Sequence, residues 1–215
     1  MYSHTGAPEL FQYGRAEELL TRLDRTQAIV QTLQPIIAEN KAPIPGFQTV
    51  GDEVRVEPGQ QQNDVGTPET GSNRGLPYTL FMKPYGYPSG TPWCGLFVHH
   101  VFTIAGVRHG VKGAALASNW SIPAAVIVSK SGKLTSHRVP VAGDLALFRF
   151  GSSRINHVEL IVRWALGDEE AFFWAIGGNT SNPSNPKQEG VYLKKRSKRE
   201  AFMVVNRIDF APEAD

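Results

Sequence analysis

Apolar residues recur along the first part of the chain with the period of a helix. Leu19, Leu23, Val30, Leu33 and Ile37 fall at spacings of 4, 7, 3 and 4, which aligns them on one side of a helix drawn over Gly14 to Lys41. Pro35 ends or kinks it. From Ala42 to Ser89 the pattern dissolves: Pro43, Pro45, Pro58, Pro68, Pro77, Pro84 and Pro88 lie among glycines and a QQQN tract at Gln60 to Asn63. That stretch reads as long loop with at most a short strand near Glu53 to Val56. Periodicity returns near Leu76. Cys94 to Val107 is continuously helix-compatible, and Leu96, Phe97, Val98, Val101, Phe102 and Ile104 make most of its circumference apolar, so this helix is expected to be central. Ala114 to Trp120 predicts a second, short helix. Beyond Pro140 the period shifts towards that of strands, at Leu145–Phe150, His157–Trp164, Ala171–Ile176, Gly190–Lys194 and Phe202–Phe210, separated by turn-forming residues. Helices followed by antiparallel strands predict an α+β domain. The chain then divides into a helical appendage over 1–45, a Pro/Gly/Gln-rich linker or long loop over 46–75, a main domain over 76–210 and a tail over 211–215. The appendage is expected to dock on the main domain, on a partner or on a second copy.

Composition narrows the class. With 41% hydrophobic and 20% charged residues in 215, the chain is that of a globular protein, and its size suits one core. Met1 to Arg25 holds no sustained apolar run and no stretch reaches a membrane-spanning length, so neither a secretory leader nor a transmembrane segment is expected. Twenty-two basic against 20 acidic side chains give a formal charge of +2, no general pull towards nucleic acid. The local exception, KKRSKR at Lys194 to Arg199, reads as a solvated face, with attraction to an anionic polymer as the alternative.

The one cysteine, Cys94, cannot form an internal disulfide. It stands where the central helix begins, in TPWCGLFVHH. If Thr91 or a neighbour caps that helix, the unpaired N–H groups of its first turn favour a thiolate and face any oxyanion formed by sulfur attack on a carbonyl. A thiolate of this kind needs a base. His99 and His100 lie more than a turn from the helix mouth and read as structural, while His4, His109 and His137 sit in loop-like contexts without supporting pattern. His157 opens HVELIVRW, in which His157, Glu159, Ile161 and Arg163 share one face, so it is either the base or a satisfied strand-end histidine. Asn179, in IGGNTS, could fix the imidazole tautomer or be ordinary turn material.

TPWCGLFVHHVFTIAGV, VAGDLALFRF, INHVELIV and AIGGNTS, in this order, resemble the CHAP domain family of cysteine, histidine-dependent amidohydrolases and peptidases, within the papain-like NlpC/P60 group, over about Pro77 to Asp209. The resemblance implies a central helix starting at the nucleophile and packed on an antiparallel sheet. Cys94 takes the place of the nucleophile, His157 of the base and Asn179 of its support, with 76–210 as the catalytic domain. Asp144 then belongs to a turn. Two departures stand out. Many CHAP domains carry glutamate two positions before the asparagine, where this chain has Gly177; either the acid is dispensed with, as in relatives with the same GGN pattern, or Glu159, on the face of His157, supplies a carboxylate instead. The glutamine that often completes the oxyanion hole is replaced by Pro88, leaving Tyr85 and Tyr87 as possible donors.

The implied activity is hydrolysis of an amide bond in bacterial peptidoglycan, as endopeptidase or N-acetylmuramoyl-L-alanine amidase, without cofactor or metal. The alternatives are a non-catalytic wall-binding module on the same fold and an amidase of another peptide-like substrate. A metal protein is the remaining rival, although no cysteine-histidine cluster supplies a third and fourth ligand. Phage or prophage lysins are the nearest expectation, held in the host cytoplasm before release to the wall; an antibacterial effector exported without a leader is the other.

Overall fold

The computed structural model describes residues 22–35, 73, 78–135, 138–166, 171–183 and 185–208. Its centre is a six-stranded antiparallel sheet of β1 (Val126–Val128), β2 (Leu145–Phe148), β3 (His157–Trp164), β4 (Phe172–Ser181), β5 (Glu189–Ser197) and β6 (Met203–Val205), in the spatial order β1-β6-β2-β3-β4-β5. Helix α1 occupies residues 22–35 and α2 is Cys94–Ile104. The segment expected to hold the second helix forms a short 3-10 turn, Ala117–Trp120. The α+β class follows from these elements.

Helix α2 packs across β3 and β4. Its Leu96, Phe97, Val98, Val101 and Phe102 meet Val158, Leu160, Val162, Trp174 and Ile176 in the main core. The opposite face of the sheet carries a second cluster, with Phe148, Ile161, Phe173 and Ala175 fully buried. The charged heads of arginine and lysine lie over aromatic rings there, the Arg196 guanidinium carbon 5.2 Å from the centre of Phe148 and the Lys198 ammonium 4.4 Å from that of Trp164, cation–π contacts that cover apolar surface. Both faces of β3 are therefore covered for its first six residues. The alternation along HVELIVRW distinguishes two buried environments, not core from solvent.

Several strands differ from expectation: β5 runs on to Ser197, and β6 covers only Met203–Val205 of the expected Phe202–Phe210. β1 is only three residues long and is held by pairing with β6, a length at which periodicity carries no signal. β4 runs through the glycines to Ser181 by way of a register shift between Gly177 and Thr180, so Asn179 lies inside a bulged strand rather than in the turn after it. The short strand considered near 53–56 and, Asn73 apart, the proposed linker lie outside the described residues.

Helix α1 shares the main core through Ile29 and Leu33, one helical turn apart. Leu23, also assigned to the apolar stripe, is 62% exposed, while Leu19 and Ile37 fall outside the described residues. Ile29 packs near Gly143, whose φ of +89° makes the turn into β2, and Arg25 donates to the Ile208 carbonyl at 3.2 Å. In the same turn Asp144 is fully buried, accepting from Arg138 at 2.7 Å and from the Val141 N–H at 2.8 Å. Truncating Ile29 to alanine should cost about 2–5 kcal/mol of unfolding free energy in urea, whereas Leu23→Ala should stay within about 0.5 kcal/mol. Equal, negligible effects would mean that α1 contributes nothing to the core.

Candidate active site

Two close approaches of backbone position the start of α2. Trp93 precedes α2 and is fully buried, stacked on Phe81 at 5.1 Å between ring centres. β4 presses against this corner: a Cβ on Gly178 would lie 2.5 Å from both Trp93 and Phe97 side-chain atoms. A Cβ on Gly95 would lie 2.0 Å from the Ala114 carbonyl oxygen. Glycine at both positions lets strand, helix and loop converge on the first turn of α2, where Cys94 stands.

No side chain caps α2. Thr91, considered for that role, instead donates its hydroxyl to the Pro88 carbonyl at 2.8 Å. First-turn N–H groups thus remain for other acceptors, and the Gly95 N–H is one of two that bond the Cys94 sulfur, the other being that of Val158. Cys94 is 2% exposed. Burial alone pushes its thiol up, but the hydrogen bond and charge of His157, together with these two N–H groups, bring it below the usual thiol range.

His157 is the first residue of β3. Its Nε2 lies 3.1 Å from Oε1 of Glu159, which leaves Nδ1 for the sulfur. Burial favours the neutral ring, yet bonds to Cys94 and Glu159 outweigh it and raise His157 to about 9. Glu159 is fully buried on β3. Arg196 of β5 grips it with two nitrogens, Nε at 3.0 Å from Oε2 and Nη2 against Oε1. Burial would raise this carboxyl, but His157 and Arg196 hold it at about 2. Cys94, His157, Glu159 and Arg196 are linked in a chain that sets a buried carboxylate between imidazole and guanidinium and favours the charged form of the thiol beside them. The linkage has a definite sign. Stability from His157 is full below pH 6.5 and is lost as pH rises through about 9; that from Glu159 is full above pH 4.5 and is lost as pH falls through about 2.

Gly177 explains the room for this carboxylate. A Cβ there would sit 2.6 Å from Cγ of Glu159. The acid supplied by β3 and the missing side chain on β4 are therefore two halves of one arrangement.

The other candidates fall elsewhere. Asn179, expected to orient the ring, does not hold Nε2, because Glu159 does. Its φ is +54° in the bulge, and its Oδ1 is buried without a hydrogen-bond partner. Tyr85 is not directed at the sulfur: its hydroxyl meets Nδ1 of His100 at 2.8 Å. Tyr87 is half-buried, packed against the core. His99 and His109 bond each other at 2.6 Å; the Val111 N–H donates to His109 Nδ1, and burial depresses His109 to about 4. These histidines serve the far part of α2. His4 and His137 lie outside the described residues.

Arg196 and Thr180 were missed as site residues. Arg196 was submerged in the KKRSKR run, although strand alternation gives every second member a shared face, and a buried glutamate calls for a cation. Beside His157 a cavity of about 310 Å³ opens, lined by Phe150, Asn179, Thr180, Ser181, Glu189, Lys194 and Arg196 as well. Among the described residues no group of histidine, cysteine, aspartate or glutamate is placed to hold a metal ion.

Glu159→Gln should return His157 towards a lower pKa and Cys94 towards a higher one. Each unit regained by the thiol reduces the thiolate fraction near neutrality by about tenfold, so alkylation of folded protein by iodoacetamide at pH 6 should slow accordingly. An unchanged rate would show that the carboxylate does not support the ion pair.

No family model matches this chain, and neither does any curated protein or solved structure.

Proposed function

We propose that this protein is a cysteine-dependent hydrolase of amide bonds in bacterial peptidoglycan, built on the papain-like CHAP/NlpC-P60 fold. The observation that carries the reading is the Cys94 sulfur at the start of α2, bonded to His157, whose second nitrogen is held by buried Glu159. The combination supports nucleophilic chemistry, because a lowered thiol and a raised imidazole give nucleophile and general acid together at neutral pH.

In the proposed reaction the thiolate adds to the amide carbonyl carbon, and the negative oxygen faces the uncapped first turn of α2. The imidazolium then gives its proton to the departing nitrogen as the C–N bond breaks, leaving a thioester. Water loses a proton to the imidazole and attacks the thioester carbon, releasing the carboxylic acid and restoring the thiolate. Glu159 holds the ring's orientation and stabilises its charged form, a positioning role. Peptidoglycan as substrate rests on the ordered motifs around Cys94, His157 and Asn179. Setting is part of the same proposal: a lysin reaching the wall after membrane permeabilisation, or an exported effector.

A second reading is a wall-binding module without turnover, favoured by the 2% exposure of Cys94. Mass spectrometry of purified peptidoglycan after incubation separates the two. New amino and carboxyl termini should form with the native protein and fall by at least about 10³-fold with Cys94→Ala. Wall that binds the protein but stays intact across several cross-link chemistries would favour the binding module.

A further inference from the structure

The cavity beside His157 is unlike the sulfur's surroundings, because it is lined mainly by polar and charged groups. Its arginine and its lysine are used differently. Arg196 is committed to Glu159 through two nitrogens. Lys194 donates to the Ser181 hydroxyl at 2.9 Å, with the carboxylates of Glu159, Glu200 and Glu189 near it but none holding it as Glu159 holds Arg196, and it is only half-buried. Its ammonium has three donors. In the same wall Asn179 carries a buried Oδ1 with no hydrogen-bond partner, an arrangement that costs free energy until a donor is supplied. Phe150, 44% exposed and 5.6 Å from the His157 ring, adds an apolar side.

We propose that this cavity is a subsite for a residue that adjoins the scissile amide and bears a free carboxylate, with Lys194 as its counter-ion, Ser181 as a second hydrogen-bonding group and Asn179 Oδ1 accepting from a substrate N–H. The inference rests on the reading of Cys94 and His157 as an amide-cleaving pair and specifies the substrate next to that pair. The cavity, about 310 Å³, lies at the small end of ligand sites, suited to a short piece of peptide rather than a folded partner. Partial burial makes a single ammonium–carboxylate contact stronger here than on an open surface. Glu189, exposed at the rim, disfavours a second acidic group in the entrance.

The test uses the full chain with Cys94→Ala and two soluble tetrapeptides, L-alanyl-γ-D-glutamyl-L-lysyl-D-alanine with its glutamyl α-carboxyl free and the same peptide with that group as carboxamide. Calorimetric titration should show the free acid bound roughly tenfold or more tightly. Lys194→Gln should remove that preference while leaving carboxamide binding in place, and Lys194→Arg should keep part of it. Equal affinity for the two peptides, no binding of either, or equal loss of both on Lys194→Gln overturns the subsite. Hydrolysis by the native chain is read separately. A carboxylate preference without cleavage would sink the hydrolase reading while the subsite stands, and cleavage without preference would do the reverse.

Discussion

A carboxylate sealed from water at the end of a sheet has to be met by positive charge and hydrogen-bond donors, since an isolated buried ion is among the costliest groups a fold can contain. Glu159 imposes that demand. Arg196 answers it from β5 and His157 from its own strand, and Thr180 stands 3.5 Å away on β4. Three adjacent strands are thereby tied to one acid. Because the imidazole is held charged, the neighbouring thiol is more easily ionised, so the ionisation of Cys94 depends on a carboxylate that does not touch it.

The backbone is shaped to allow this. Gly177 leaves the space that Glu159 fills, Gly178 brings β4 against Trp93, and Gly95 admits the 114–115 loop beside the helix start. A side chain at any of the three would meet an atom at 2.6 Å or less, closer than packed interiors tolerate. The absence of a side-chain cap on α2 fits the same scheme. A capping hydroxyl would occupy N–H groups that here can serve sulfur or an oxyanion.

Much of this geometry was legible in the order of residues. The start of α2 at Cys94 and the span His157–Trp164 were readable because dense apolar periodicity marks both. The sharing of a face by His157 and Glu159 followed from strand alternation. Long-range pairing was not readable. Asn179 looked like the ring's support because it follows two glycines, but a bulge redirects β4 and Glu159 already occupies Nε2. Arg196 looked solvated because a run of six mostly basic residues resembles a surface, whereas in a strand only alternate members face one side. Tyr85 was a possible donor to the oxyanion from the loop before Cys94, and the His100 ring proved to be its partner. Arg196–Glu159 joins strands 37 residues apart and Tyr85–His100 a loop and a helix 15 apart, pairings that local pattern does not encode, whereas His157–Glu159 lies within one strand and competes with Asn179 for the same nitrogen.

The most direct measurement is an NMR titration of the His157 ring in the native protein, with Cys94 intact. The imidazole should stay protonated through neutrality and titrate near pH 9, with the thiol ionising below its ordinary range. A ring that loses its proton near or below pH 6.5, beside a thiol that ionises only at ordinary alkaline pH, would contradict the thiolate–imidazolium pair and with it the chemistry assigned to Cys94.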